Sequence, residues 1–331
     1  MASKYTYIFY HVDLDGMGIA ILSLAYALNK KRFCKSKCCS YGTINSSVLS
    51  IINNSDIEEI IIGDLSVNES VAEELDKLYK NGIKVRLRDH HESALFLNKY
   101  EWAIVSEHDS NNISRSATWL LAQDEDFKYL HKEYEVLIDN IDEWDTWRWR
   151  QTNNKIPWKL NALFTVMGNE AFIDYIMSSP PAQYSEDLFT EKADNMIQAY
   201  FNLLNNYASQ AESKMYTMNL YVNPNTEKFK TGIVFVNNHI SEIGDIILTN
   251  HPELDILMLV VFPNFISWRT RKNLSVPLGT IAKLATGLGG GHPRAAGSSI
   301  ASWKFQDFFT KLLDSSFDPQ LDYSNFNQNK S

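Results

Sequence analysis

The 331-residue chain is 44% hydrophobic and 21% charged, with only 14 Gly and 9 Pro, which excludes collagen-like and disordered classes. Its length exceeds what one core usually serves, so two domains are expected. Thirty-one Lys+Arg against 40 Asp+Glu leave a formal net charge of −9, which argues against coating long duplex DNA or an anionic membrane; a nucleic-acid partner has to be short or gripped by a local cationic patch.

Tyr5 to Tyr10 (YTYIFY) is β-branched and aromatic and predicts a buried strand. The run meets Asp13 and Asp15 at once, which is not a signal-peptide pattern. Gly16 to Asn29 predicts a helix packed on that strand. Cys34, Cys38 and Cys39 cannot build a disulfide framework, and no second pair follows at zinc-knuckle spacing, so reduced thiols in a cytoplasmic protein are expected. Ile57 to Ile62 predicts a second strand, stopping at Gly63-Asp64. Glu69 to Lys80 predicts a helix, broken at Asn81-Gly82, and Ile83 to Leu87 a third strand, ending in Arg88-Asp89-His90-His91. This alternation predicts an α/β fold with a doubly wound parallel sheet, in which ligands bind beyond the carboxyl ends of the strands.

Beyond Ser114 the chain turns helical (SRSATWLLAQ, then KEYEVLIDNIDEWDTW), and a longer helix is expected from Ser185 to about Lys214, after Pro180-Pro181. From Met215 four strand-like runs (MYTMNLYV, KTGIVFV, DILMLVVF, FISWRT) and a helical segment near Glu242–Leu248 predict a second, smaller α/β domain. The most apolar stretch, Leu254 to Phe262, is too short to span a bilayer. The expected organisation is a first domain over 1–160, a helical connector over 161–215, a second domain over 216–312 and a polar, Asn-rich tail over 313–331.

Each of the three early strands ends in Asp or His. In His11-Val12-Asp13-Leu14-Asp15-Gly16, alternation on an extended segment puts His11, Asp13 and Asp15 on one side, and such ligands suit a divalent cation. Asp64 ends the next strand, His90 and His91 the third, and Asp139, Asp142 and Asp145 lie on the helical segment before Trp147. A lone Asp after a strand is ordinarily a helix cap or a surface charge. Four clusters, each at an element end, argue against coincidence.

HVDLDG, Asp64, the triplet Asp89-His90-His91 and the later acidic helix resemble the four motifs of the DHH phosphoesterases. That superfamily includes RecJ-type exonucleases, nanoRNases, cyclic-dinucleotide phosphodiesterases and family II pyrophosphatases. Gly289-Gly290-Gly291-His292 resembles the GGGH signature of the associated C-terminal domain, so the motifs run in order from residue 11 to residue 297. The resemblance implies a two-ion site, usually manganese with magnesium or cobalt as substitutes: His11 and Asp13 on one ion, Asp15 and His90 on the other, Asp64 bridging. It also implies one further carboxylate, Asp145 in Asp-Thr-Trp, with Asp142 one turn away as the alternative. One departure is visible: His11 precedes Asp13 by two residues, where pyrophosphatases and typical nanoRNases space them by four.

Two cations about 3.5–4 Å apart clamp both oxygens of an in-line displacement, and imidazole and carboxylate ligands without Cys favour manganese. His91 is a candidate to contact a phosphate oxygen or protonate the leaving group, and Asp89 to orient a His. The resemblance assigns Arg269 and His292 to a substrate phosphate or terminal nucleotide; the glycine run, including Gly290 and Gly291, reads either as an anion cradle or as a tight turn. Arg115, at a predicted helix start, is a further substrate candidate beside the plainer reading of a Ser cap. Trp144, Trp147, Trp149 and Trp158, interleaved with Arg148 and Arg150, read either as core or as a base-stacking set.

The expected activity is manganese-dependent hydrolysis of short oligoribonucleotides or linear dinucleotides to mononucleotides, by a chain free to form a homodimer. The alternatives are a cyclic-dinucleotide phosphodiesterase or an adenosine bisphosphate phosphatase, then a pyrophosphatase or a silent nucleotide sensor.

Overall fold

β1 (Tyr5–Tyr10) is buried along its whole length except Tyr5, because both faces of its sheet are covered by helices. The computed structural model describes residues 4–179, 184–222, 227–263, 265–286, 289–291, 293–299 and 320–321. The expectations for Pro180-Pro181, Gly287-Leu288, His292 and the tail apart from 320–321 lie outside the described residues. The chain divides into two units, Met1–Gln198 and Ala199–Ser331.

In the first unit β1, β2 (Phe33–Cys38), β3 (Ile57–Gly63), β4 (Lys84–Asp89) and β5 (Ala103–Val105) form one sheet in the order β2-β1-β3-β4-β5, every neighbouring pair parallel. From β1 the chain goes first to β2 on one side and then crosses to β3 on the other. The connections leaving β1 and β3 therefore diverge, which opens a crevice at their carboxyl ends.

α1 (Leu14–Asn29) starts earlier than expected, because the Asp13 carboxylate caps it by accepting from Gly16 N at 2.9 Å. The extended reading of residues 11–15 is thereby corrected: only His11 and Asp13 precede the helix, and Asp15 stands in its first turn. Gly16 is required here, since a Cβ would lie 2.1 Å from the His11 carbonyl oxygen. α2 (Ile44–Leu49) and α3 (Glu69–Lys80) cover one face of the sheet, packing Ile44, Val48, Val71 and Leu75 on Ile60, Ile62, Val85 and Leu87. α1, α4 (Ala117–Ala122) and α5 (Lys128–Asp145) pack together and against the sheet. α6 (Trp149–Thr152), α7 (Ile156–Met167) and α8 (Asn169–Ser178) follow, and α9 (Glu191–Glu212), shorter at its start than expected, leads into the second unit.

The second unit holds β6 (Tyr216–Val222), β7 (Glu227–Phe235), α10 (Ile240–Asn250), β8 (Ile256–Val261), β9 (Phe265–Arg269), α11 (Leu278–Thr286), β10 (Gly289–Gly291), β11 (Ala295–Ser299) and β12 (Gln320–Leu321). Its sheet is mixed, in the order β10-β11-β9-β8-β7-β6-β12. β8 alternates between two cores: Ile256, Met258 and Val260 join Ile281 and Ala282 of α11, while Leu257 and Leu259 join Ile243 and Ile247 of α10. The glycine run is strand rather than loop, pairing antiparallel with β11, and Gly291 has φ +140°, which only glycine adopts easily.

A candidate metal centre at the ends of three strands

His11 follows β1, Asp64 follows β3, and His90 and His91 follow β4, so the sheet order alone brings these residues together at the carboxyl ends of three neighbouring strands. α1 adds Asp15 from its first turn, and α5 adds Asp145 from its last. Asp64 has φ +57°, an unfavourable conformation for a non-glycine residue, held by its N–H donating to Arg88 O at 2.9 Å. The turn aims the carboxylate across the strand ends, where it is almost completely buried.

Three overlapping groups could hold a metal ion, each with donor atoms within 4.8 Å of one another: His11, Asp13 and Asp64; Asp15, His90 and Asp145; and Asp64, His90 and His91. His11 Nδ1 lies 2.7 Å from Asp13 Oδ2 and 3.3 Å from Asp64 Oδ2. His90 Nε2 lies 3.5 Å from Asp64 Oδ1 and 3.4 Å from Asp145 Oδ2. The buried oxygens Asp64 Oδ2 and Asp145 Oδ2 have no hydrogen-bond partner. Asp15 is better satisfied, accepting from Ala117 N at 2.8 Å and Thr118 N at 2.9 Å, which fixes α4 to the site.

The electrostatics follow from this crowding. Burial, reinforced by the charges of Asp13 and Asp15, raises Asp64 well above the usual carboxylate range. Burial, with Asp15 and Asp13 adding to it against His90, pushes Asp145 up to about 7. Burial alone would lower the His11 imidazolium, but the hydrogen bonds and charges of Asp13 and Asp64 outweigh it and raise the group to about 10. The shifts share a cause: burial and neighbouring carboxylates disfavour the ionised forms of Asp64 and Asp145, while the same carboxylates favour the protonated His11 ring.

Asp89 is fully buried and accepts from His91 Nδ1 at 2.7 Å, from the His90 and His91 N–H groups and from Ser66 Oγ. The contact fixes the His91 ring and leaves its Nε2 3.1 Å from the Tyr41 hydroxyl. Tyr41 also sets its ring 5.1 Å from that of His11, joining two histidines of the site. Sequence reasoning missed Tyr41 and Ser66, because neither belongs to a strand-end acid or histidine cluster.

Asp142 lies apart from the donor groups: it accepts from Ser116 N at 2.7 Å, from Arg115 Nη1 at 2.8 Å and from Arg148. Arg115 is held between Asp142 and Asp109, with its guanidinium 4.3 Å above the Trp119 ring. In the second unit Gly290 and Gly291 are exposed on β10. Arg269 Nη2 donates to Ser241 Oγ at 3.0 Å while its Nε is buried without a partner. No helix among the described residues is long and apolar enough to cross a membrane.

No family model matches the chain. Oligoribonuclease NrnB of Bacillus subtilis (strain 168) is 26% identical over 318 residues, covering 93% of this chain and 76% of the relative. Among solved structures, exonuclease RecJ bound to manganese aligns with a TM-score of 0.48 at 12% identity, over 93% of this chain and 89% of that one. An uncharacterized protein from Helicobacter pylori G27 aligns with a TM-score of 0.42 at 19% identity, over 93% and 98%. The chain is thus similar along nearly its whole length to a protein named an oligoribonuclease, and the residues of its DHH-like motifs gather at the carboxyl ends of three neighbouring strands.

Proposed function

We propose that this chain is a manganese-dependent, two-ion phosphodiesterase that hydrolyses short oligoribonucleotides or linear dinucleotides to mononucleotides. The observation that carries the reading is the position of His90 Nε2, between Asp64 Oδ1 at 3.5 Å and Asp145 Oδ2 at 3.4 Å, where buried carboxylate oxygens have no hydrogen-bond partner. Buried anions need compensation, and the donors that converge here are imidazole nitrogens and carboxylate oxygens with no thiolate, a set suited to manganese, with magnesium or cobalt as substitutes. His11 and Asp13 would hold one ion, Asp15, His90 and Asp145 the other, with Asp64 shared. When bound, such a pair supplies Lewis acidity and charge neutralisation for an in-line displacement at phosphorus.

The chain's own part is positioning and proton transfer. Asp89 fixes the His91 ring through Nδ1, so Nε2 is the atom that would give a proton to the leaving oxygen. Tyr41 Oη meets that nitrogen and orients it further. Arg269, with a buried Nε left unpaired, and the exposed Gly290 and Gly291 are the candidates for gripping a distant phosphate. The net charge of −9 and the similarity to a protein named an oligoribonuclease support a short substrate.

The test is a titration of the metal-free protein with manganese, followed by hydrolysis of a diribonucleotide, a cyclic dinucleotide, adenosine bisphosphate and pyrophosphate. Two ions bound per chain and fastest turnover of the diribonucleotide are expected. Asp64→Asn should cost more than about 100-fold in rate while the protein stays folded, since even outer contacts to a metal ligand matter by 10- to 100-fold. One ion per chain, or fastest turnover of pyrophosphate, overturns the reading.

A further inference from the structure

Past Asp145 the chain lays down four tryptophans. Trp144 and Trp147 have ring centroids 5.7 Å apart at 29°, Trp144 and Trp149 5.9 Å at 20°, and Trp149 and Trp158 5.9 Å at 27°. Nearly parallel rings at such separations are offset, like overlapping tiles, rather than stacked face on face. The Arg150 guanidinium lies 4.6 Å above the Trp149 ring. Trp149 is buried, but Trp147 keeps 37% of its surface in solvent.

Trp147 also has φ +58°, an outlier for so bulky a residue. Burial does not explain it, because this ring is the most exposed of the four. The conformation ends α5 immediately after Asp145 and supports the ring on the tiles behind it. Only Thr146 stands between Asp145 and Trp147, so their Cα atoms, two steps apart, are at most about 7 Å from each other. A rigid, solvent-open indole thus stands within a nucleotide's reach of the donor groups.

We infer that Trp147, backed by Trp144 and Trp149, is a stacking platform for a nucleobase of the substrate, adjoining the phosphate held at the metal centre. This rests on the phosphodiesterase reading and adds to it a subsite for a planar base. Base-on-indole stacking tolerates any sequence, so the platform would recognise a base without choosing among the four.

Two experiments test the platform separately from turnover. In the first, adenosine monophosphate is titrated against the metal-loaded protein while tryptophan fluorescence is followed. Quenching is expected in the wild type and should be lost in Trp147→Leu and largely kept in Trp147→Tyr. Equal quenching in wild type and Trp147→Leu, or none in the wild type, overturns the inference whatever the enzyme hydrolyses. In the second, Trp147→Leu should lower kcat/KM on a diribonucleotide by roughly 5- to 150-fold, mostly through KM, which corresponds to about 1–3 kcal/mol of base stacking. It should leave bis(p-nitrophenyl) phosphate and an abasic dinucleotide unaffected. Equal losses on all three substrates would make the ring a support for Asp145 and reject the platform. Should the wild type cleave the small diester but no diribonucleotide, the oligoribonuclease reading falls while the quenching result still decides the platform.

Discussion

Asp142 and Asp145 stand one turn apart on α5 in opposite surroundings. Asp142 is fully buried and saturated, with Ser116 N, Arg115 and Arg148 all donating to it. Asp145 has a buried oxygen without a hydrogen-bond partner and a carboxyl raised to about 7 by burial and by Asp15 and Asp13. Two outcomes follow for the amide variants, measured side by side. Asp145→Asn should lower manganese-dependent hydrolysis more than about 100-fold, while the metal-free protein at pH 8 unfolds no earlier than wild type, because the change removes an anion that burial disfavours. Asp142→Asn should cost up to about 3 kcal/mol of stability by leaving two guanidinium groups short of their counter-charge. Its hydrolysis under stabilising conditions should stay closer to wild type. Thermal unfolding beside a rate assay decides it; the reverse ranking in rate would make Asp142 the ligand.

Elements differ in how far sequence reveals them. β1, β3 and α3 are legible because their apolar periodicity coincides with their burial, and β8 because both its faces are covered. β2 and β5 escape the same reading: they are the edge strands, and Phe33-Cys34-Lys35-Ser36-Lys37-Cys38 carries the lysines that protect an edge rather than the apolar run of a central strand. The strand-end acids and histidines are visible because the proposed metal centre would call for those residue types. Tyr41 and Ser66 act through geometry that spacing does not encode. A polar tie between elements is equally invisible: Arg86 of β4 meets Glu59 of β3 and Asp124 and Asp126 of the short turn after α4, and Lys84 also reaches Asp126. The Lys84 hydrogen bond, with Arg86 assisting, lowers the Asp126 carboxyl to about 2 against burial. A carboxyl depressed in the folded state stabilises above its unfolded pKa of 3.8 and loses that contribution as pH falls toward 2. Asp126→Asn should therefore lower the urea midpoint of the metal-free protein at pH 6, and the gap from wild type should narrow between pH 5 and pH 3. A gap independent of pH would mean that Asp126 contributes shape rather than charge.

At the scale of the molecule, the donor groups and the residue proposed to contact a substrate phosphate belong to different units. All members of the three donor groups lie between His11 and Asp145, within the first unit. Arg269 ends β9 in the second, where burial lowers its guanidinium against the pull of Glu242, and where Nε has no partner although Nη2 is held by Ser241. A cation whose buried N–H lacks a partner costs stability unless an anion compensates it, and the anion proposed here is a substrate phosphate away from the scissile one. Binding energy gathered there would also orient the scissile bond. Arg269→Ala should accordingly bind two manganese ions and cleave bis(p-nitrophenyl) phosphate as wild type does. On a diribonucleotide carrying a terminal phosphate, kcat/KM should fall by roughly 10- to 1,000-fold, the equivalent of about 1.4–4 kcal/mol of charge-assisted contact. The loss should shrink on a diribonucleotide without that phosphate, since the partner of the missing guanidinium is then absent from both reactions. Equal losses with and without the terminal phosphate would reject the phosphate contact, and a loss of manganese binding would show that the two units do not divide the work.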